Sequence, residues 1–191
     1  MSSKVIVGMT LSLDGFVNDR NGDVGRLYAD LAEMQETPSL LEAIHDTGAV
    51  VMGRRAYEMG NGDYTGYEFQ VPIFVITHDP PESAAQGEND KLRFHFVTAG
   101  VESAIQQAQE AADGKDVVVV GGPSVAQQLL KAGLVDELHI DIVPLLLGQG
   151  LRLFENLAEQ AIQLEKTRLN EVLGRTQLRF RVIKLRGKEQ A

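Results

Sequence analysis

Val117-Val118-Val119-Val120 runs without a polar residue into Gly121-Gly122-Pro123-Ser124. A short run of β-branched residues with no alternation reads as a strand buried on both faces, as in the middle of a parallel sheet. A second segment, Val50-Val51-Met52-Gly53-Arg54-Arg55, has the same layout of apolar run, glycine and helix-like continuation. A strand of this kind delivers backbone N–H groups to the start of a helix, where partial positive charge collects. Two such turns in one domain suggest a ligand with several phosphates, and Arg54 and Arg55 add fixed positive charge. The expected ligand is a phosphorylated dinucleotide lying across the ends of two neighbouring strands.

The rest of the composition narrows the partners. With 191 residues the chain is expected to form a single domain, residues 1–191, around one core. Its formal net charge is −9, which argues against nucleic acid or an anionic membrane as a partner, since either would reward a basic face. An anionic small ligand is compatible, provided that cations are concentrated locally. The chain has no cysteine, so disulfides, thiolate nucleophiles and cysteine-ligated metals are impossible. The start, Met1-Ser2-Ser3-Lys4-Val5, lacks the apolar region of a secretion signal, and no apolar run is long enough to span a bilayer. A cytoplasmic protein is expected.

Along the chain, Val5 to Thr10 reads as a buried first strand ending at Asp14-Gly15. Leu27, Leu31 and Met34 sit at helical spacing. Thr37-Pro38 reads as an N-cap followed by proline at the first helical position, with Leu40, Leu41 and Ile44 as the inward stripe and Gly48 as the stop. Strands follow at Ala49–Met52, at Pro72–Thr77 and around Phe94 and Phe96. Val101, Ala104, Ile105 and Ala108 mark a helix, and Pro123 opens another that stops at Gly133. Leu138, Ile140 and Ile142 alternate with His139 and Asp141, so that strand has a wetter face. Leu178, Phe180 and Val182 alternate with Arg179 and Arg181 in a final strand expected to close an antiparallel edge. Strand–helix alternation followed by hairpin-like strands implies a three-layer α/β domain with a mixed, mostly parallel sheet flanked by helices.

Familiar signatures are missing. The glycines of Gly60-Asn61-Gly62-Asp63-Tyr64-Thr65-Gly66 have the wrong spacing for a Rossmann fingerprint and follow no strand. No P-loop or nucleophile elbow occurs. The loop Asn18–Asp23 lacks the full calcium-loop pattern, and His139-x-Asp141 reads as a solvated pair, so no metal centre is expected. Asp14 and Asp30 are the candidate acids. Their bland alternatives are a turn residue and an exposed acid on a helix face.

Four stretches taken in order resemble a known family: Met9-Thr10-Leu11-Ser12-Leu13-Asp14-Gly15-Phe16-Val17, Val51-Met52-Gly53-Arg54-Arg55-Ala56-Tyr57-Glu58, Val119-Val120-Gly121-Gly122-Pro123-Ser124, and Gly133-Leu134-Val135-Asp136-Glu137-Leu138 running into Pro144–Gly150. They resemble the dihydrofolate reductase-like superfamily, and within it the reductase (C-terminal) domain of bifunctional deaminase-reductase enzymes of riboflavin biosynthesis. The resemblance extends from Val5 to about Lys184. It implies the dihydrofolate reductase-like three-layer fold, NADPH as hydride donor, and a homodimer.

By position, the resemblance implies that Thr10 and Val17 flank the nicotinamide. It implies that Gly53, Arg54 and Arg55 hold the pyrophosphate and 2′-phosphate, and that Thr77 and His78 lie along the adenosine. Gly121, Gly122, Ser124 and Val125 would close over the pyrophosphate. Arginine at the 2′-phosphate is what distinguishes an NADPH site from an NADH site, where a carboxylate usually meets the ribose. Three departures are visible. Ala56 stands where relatives often carry threonine, and the chain lacks the tryptophan usual in the active-site loop of folate reductases. Val71 also stands about where those enzymes place the arginine that clamps folate.

The expected function is therefore an NADPH-dependent reductase. It would deliver hydride to a small heterocyclic C=N or C=O substrate, a 5-amino-6-(5-phosphoribosylamino)uracil-like pyrimidine being the first choice, with Asp30 or Asp14 as proton donor. A non-catalytic nucleotide-binding protein of the same fold and a dihydrofolate reductase are the alternatives.

Overall fold

The computed structural model describes residues 3–184 apart from 156 and 158–160. The first two residues of the N-terminal stretch read above therefore lie outside the described residues. Eight strands form one sheet: β1 (Val5–Ser12), β2 (Thr47–Gly53), β3 (Ile73–Ile76), β4 (Phe94–Val97), β5 (Asp116–Val120), β6 (Glu137–Val143), β7 (Gln163–Val172) and β8 (Arg175–Ile183). Their order is β4-β3-β2-β5-β1-β6-β8-β7. The first six strands run parallel, and β8 pairs antiparallel with β6 and with β7. Among the described residues five α-helices accompany them: α1 (Leu31–Met34), α2 (Pro38–Asp46), α3 (Arg54–Glu58), α4 (Val101–Ala111) and α5 (Pro123–Lys131).

The pleat divides each strand between two faces. Val5, Val7, Met9, Leu11, Ala49, Val51, Val117 and Val119 face α4 and α5, whose Ala104, Ile105, Ala108, Val125 and Leu129 complete the larger core. On the other face, Val50, Met52, Ile73, Val75 and Phe94 pack with Tyr64, Phe69 and Leu92 into a smaller core centred on β2, β3 and β4. That face of β5, β1, β6 and β8 is left open. Val118 and Val120 are accordingly only half-buried rather than sealed on both sides as the unbroken valine run implied. They line a cavity instead.

Several local readings shift. Leu27, Leu31 and Met34 do not share one helix. A three-residue 3₁₀ turn, Gly25–Leu27, and the single-turn α1 are separated at Tyr28–Asp30. The Thr37 cap forms, its Oγ1 accepting from the Leu40 N–H at 3.4 Å, but Leu41 points outward. Gly48 lies within β2 rather than stopping α2. A Cβ there would come within 2.2 Å of the Ala112 carbonyl oxygen, so glycine is required by close approach. The sheet edge is β7, a strand absent from the sequence reading, and β8 is interior to it.

Candidate active site

β2 and β5 are hydrogen-bonded neighbours, with Met52 opposite Val120, so their two glycine turns emerge side by side. Gly121 has φ +92°, and a Cβ on it would lie 2.2 Å from the Ala56 Cβ. A Cβ on Gly53 would meet Val125 at 3.1 Å. The turns are thus in contact, and Ala56 is the small partner that lets them approach. Neither α3 nor α5 carries a side-chain cap at its start. The first N–H groups of α5 therefore keep their hydrogen-bonding capacity for another partner. No atom lies within 4 Å of a Cβ built on Gly122, so there is open space beside that turn.

The two arginines diverge. Arg55 lines the cavity. Arg54 turns toward the end of β3, where its Nε donates to Glu58 at 2.7 Å and its Nη1 donates to the Asp79 carbonyl oxygen at 2.9 Å. The Glu58 carboxylate, and then Asp79, hold its pKa above the usual arginine value. Thr77 is buried and its hydroxyl exchanges hydrogen bonds with the Asp79 backbone, while His78 is exposed. Ser124 is exposed and its Oγ accepts from Gln128 at 3.2 Å.

The cavity, of about 1370 Å³, occupies the open face of the sheet. One small ligand fills roughly 300–1,000 Å³, so there is room for two moieties. Strand register sets its floor. Thr10 stands opposite Asp141, and Asp141 opposite Gln177, forming one row. Gly8, His139 and Arg179 form the next. All six line the cavity, so His139 and Asp141 belong to its floor rather than to an open surface. His139 Nε2 lies 3.0 Å from Glu137. Burial, and then the nearby Arg179, push its pKa down to about 4, so the ring is neutral at physiological pH. Ser39, Leu40 and Ala43 of α2 form part of the opposite wall, and Val17, Tyr28, Tyr67 and Glu68 complete the surround.

Of the residues singled out from sequence, Thr10, Val17, Arg55, Gly121 and Gly122 line the cavity. Gly53 and Val125 form the contact between the turns, and Arg54, Thr77, His78 and Ser124 lie outside the lining. The two candidate acids are outside it as well. Asp14 is a turn residue: its carboxylate accepts from the Ser12 hydroxyl at 2.6 Å and from the N–H groups of Leu147 at 3.1 Å and Gly148 at 2.7 Å. Asp30 is not a free helix-face acid. Both its oxygens accept from Arg175, which is 2% exposed and also donates to the Leu27 carbonyl oxygen at 2.7 Å. The Ser12 hydroxyl and the Arg175 guanidinium, respectively, lower the two pKa values, so both groups are held ionised. The sequence reading passed over Glu68. It is half-buried in the lining, its carboxylate bonds to no other residue among the described residues, and desolvation raises its pKa. No periodic pattern marks residues 60–71, so only the folded chain reveals it.

Comparison with known proteins adds an independent line. The family model of the RibD C-terminal domain matches residues 3–178. "Uncharacterized protein YyaP" of Bacillus subtilis is 23% identical over 164 residues, 82% of this chain and 83% of that one. Among solved structures, a Shewanella sp. PV-4 protein described as a "Putative riboflavin biosynthesis protein" superposes with a TM-score of 0.73 at 25% identity, covering 95% of this chain and 99% of that one. The diaminohydroxyphosphoribosylaminopyrimidine deaminase/5-amino-6-(5-phosphoribosylamino)uracil reductase of Thermotoga maritima gives 0.68 at 15% identity, over 95% of this chain and 57% of that one. Dihydrofolate reductase of Enterococcus faecalis, solved in complex with NADP(H), gives 0.64 at 15% identity, over 96% and 99%. The last two likenesses establish the dihydrofolate reductase-like fold.

Proposed function

The chain belongs to the RibD C-terminal domain family, and from that premise we propose that it is an NADPH-dependent reductase delivering hydride to a small heterocyclic C=N or C=O substrate. The carrying observation is the contact between the turns at Gly53 and Gly121, beside a cavity too large for one small ligand. Ligands of open α/β sheets sit at the carboxyl ends of strands. The uncapped start of α5 and the open space beside Gly122 fit a pyrophosphate. Gly121, Gly122 and Ser124 would border it, with Gly53 and Val125 setting the spacing and Arg55 supplying charge from the cavity side. Arg54, with Thr77 and His78 beside it, would meet the 2′-phosphate and adenosine after exchanging Glu58 and Asp79 for the phosphate.

NADPH supplies the hydride when bound. The chain's own residues bind, orient and protonate. Thr10 and Val17 would border the nicotinamide over the sheet floor. A reduced C=N bond needs a proton, and Glu68 replaces Asp14 and Asp30 as the proposed donor because it lines the cavity and its raised pKa favours the acid form. A 5-amino-6-(5-phosphoribosylamino)uracil-like pyrimidine remains the first substrate choice, since the Thermotoga maritima neighbour carries that reductase activity in its name. Dihydrofolate fits less well because Asp30 is tied to Arg175. We place the protein in the cytoplasm as a homodimer; among the described residues no helix is long and apolar enough to cross a membrane.

The test is NADPH consumption by the purified protein with 5-amino-6-(5-phosphoribosylamino)uracil and related aminopyrimidines. Substrate-dependent oxidation supports the reading. Cofactor binding without turnover across the panel favours a non-catalytic nucleotide-binding protein.

A further inference from the structure

Lys4, Glu137 and His139 form a chain that runs from the solvent edge of the sheet to the cavity floor. Lys4 Nζ lies 2.9 Å from Glu137 Oε1, and Glu137 Oε2 lies 3.0 Å from His139 Nε2. Burial opposes the charge on Glu137, but Lys4 and then His139 hold its pKa below the usual value, so the carboxylate only accepts. The His139 ring is neutral and carries a single N–H. That N–H therefore sits on Nε2, and Nδ1 is left as a bare acceptor. Nδ1 has no hydrogen-bond partner among the described residues, and neither has the guanidinium of Arg179, the register partner of His139 on β8. Among the described residues the one buried side-chain polar atom without a partner is Gln177 Oε1, so Nδ1 and the guanidinium both reach open space. Both residues line the cavity. Gly8, opposite His139 on β1, adds no side chain, and the nearest atom to a Cβ built there is Val118 Cγ1 at 3.6 Å. The floor at this row is a hollow that presents an acceptor and a cationic donor side by side.

We propose that His139 and Arg179 bind a hydroxyl on the substrate's side chain, with Glu137 and Lys4 as positioning residues that fix the histidine tautomer. The proposal rests on the reductase reading for its assignment to the substrate rather than the cofactor. A hydroxyl can donate to Nδ1 and accept from the guanidinium at once. A phosphate or carboxylate oxyanion sets lone pairs against Nδ1, and a ring N–H has no lone pair for Arg179. Gly8 stands two residues from Thr10 on the same strand face, roughly 6–7 Å along it. That spacing places the hydroxyl on a substituent of the ring held over Thr10, not on the ring itself. The substrate class is then a heterocycle with a hydroxylated chain, and the proton step does not pass through His139.

The experiment is an NMR titration of the full-length protein without NADPH, read at the 15N-labelled His139 ring. The probes are 6-(ribitylamino)uracil and 6-(pentylamino)uracil, whose chain has no hydroxyl. The free protein should show the Nε2-protonated tautomer. The ribitylamino probe should perturb the Nδ1 signal and bind about tenfold or more tighter than the pentylamino probe. Glu137→Gln should invert the tautomer. Lys4 only donates, so it keeps the glutamine oxygen and turns the amide N–H groups toward His139 Nε2, which moves the ring proton to Nδ1. The preference for the ribitylamino probe should then disappear while the spectrum stays dispersed. His139→Leu should abolish the same preference, and it decides if Glu137→Gln does not fold. An Nδ1-protonated ring in the free protein, absence of binding, equal binding of the two probes, or a preference kept by either folded variant overturns the proposal. A parallel NADPH titration read at the Gly121 and Gly122 amides tests the reductase reading on its own. Its failure with the probe preference intact removes the cofactor and keeps the hydroxyl site, and the reverse result removes the hydroxyl site alone.

Discussion

Asp30 and Glu68 carry the same functional group in opposite settings. The Arg175 guanidinium holds the Asp30 pKa down, whereas burial raises that of Glu68. A lowered carboxyl pKa contributes stability above the unfolded value of about 3.9, which is lost as pH falls through the folded value. Asp30→Asn should therefore lower stability by about 3 kcal/mol at neutral pH, because it leaves the buried Arg175 without its counter-ion. The loss should shrink toward acid pH in urea unfolding series. For Glu68 the sign is reversed. The acid form is the one required, so kcat should fall as pH rises through its raised pKa. Glu68→Gln should remove that limb and reduce kcat by about a hundredfold or more in pH-rate profiles. Sequence alone carried Asp30 as a candidate acid but not its partner, which lies 145 residues away in the chain. It carried Asp141 through strand alternation, while Gln177 emerged only when the antiparallel register set it opposite Asp141.

At the level of elements, the paired turns tie sequence to site most tightly. Gly121 combines a positive φ with a backbone pressed against Ala56. Gly121→Ala should cost at least about 1–3 kcal/mol in thermal or urea unfolding. It should also weaken NADPH binding by pushing the turns apart, and wild-type affinity in a folded Gly121→Ala protein would contradict the role given to that contact. β2 and β5 were legible because their apolar runs end in glycine, and α4 and α5 because their stripes keep helical spacing. β7 was not, since Gln163-Leu164-Glu165-Lys166-Thr167-Arg168 is exposed along almost its whole length and a bulge near Lys166 breaks its register. α1 misled because the buried Leu27 and Met34 sit on two separate short turns rather than one helix, and Leu31 between them is 44% exposed.

As a whole, the molecule is an acidic body with formal charge −9 and two adjacent arginines, Arg54 and Arg55, at the end of β2. Its outer hairpin exposes Leu169 and Leu173 (55% and 53% exposed), and Leu146, from the apolar stretch Leu145–Leu147, is 67% exposed. Apolar surface of this kind suits a second copy, so light scattering should return twice the 20.9 kDa chain mass. A monomer at micromolar concentration would remove the homodimer. The most direct test of the central claim is a fluorescence titration with NADPH and NADH of the wild-type, Arg54→Ala and Arg55→Ala proteins. The account predicts saturable binding of one NADPH per chain, a tenfold or greater loss for both nucleotides in Arg55→Ala, and a loss confined to NADPH in Arg54→Ala. Absence of binding at millimolar NADPH, or unchanged affinity in both variants, would contradict it.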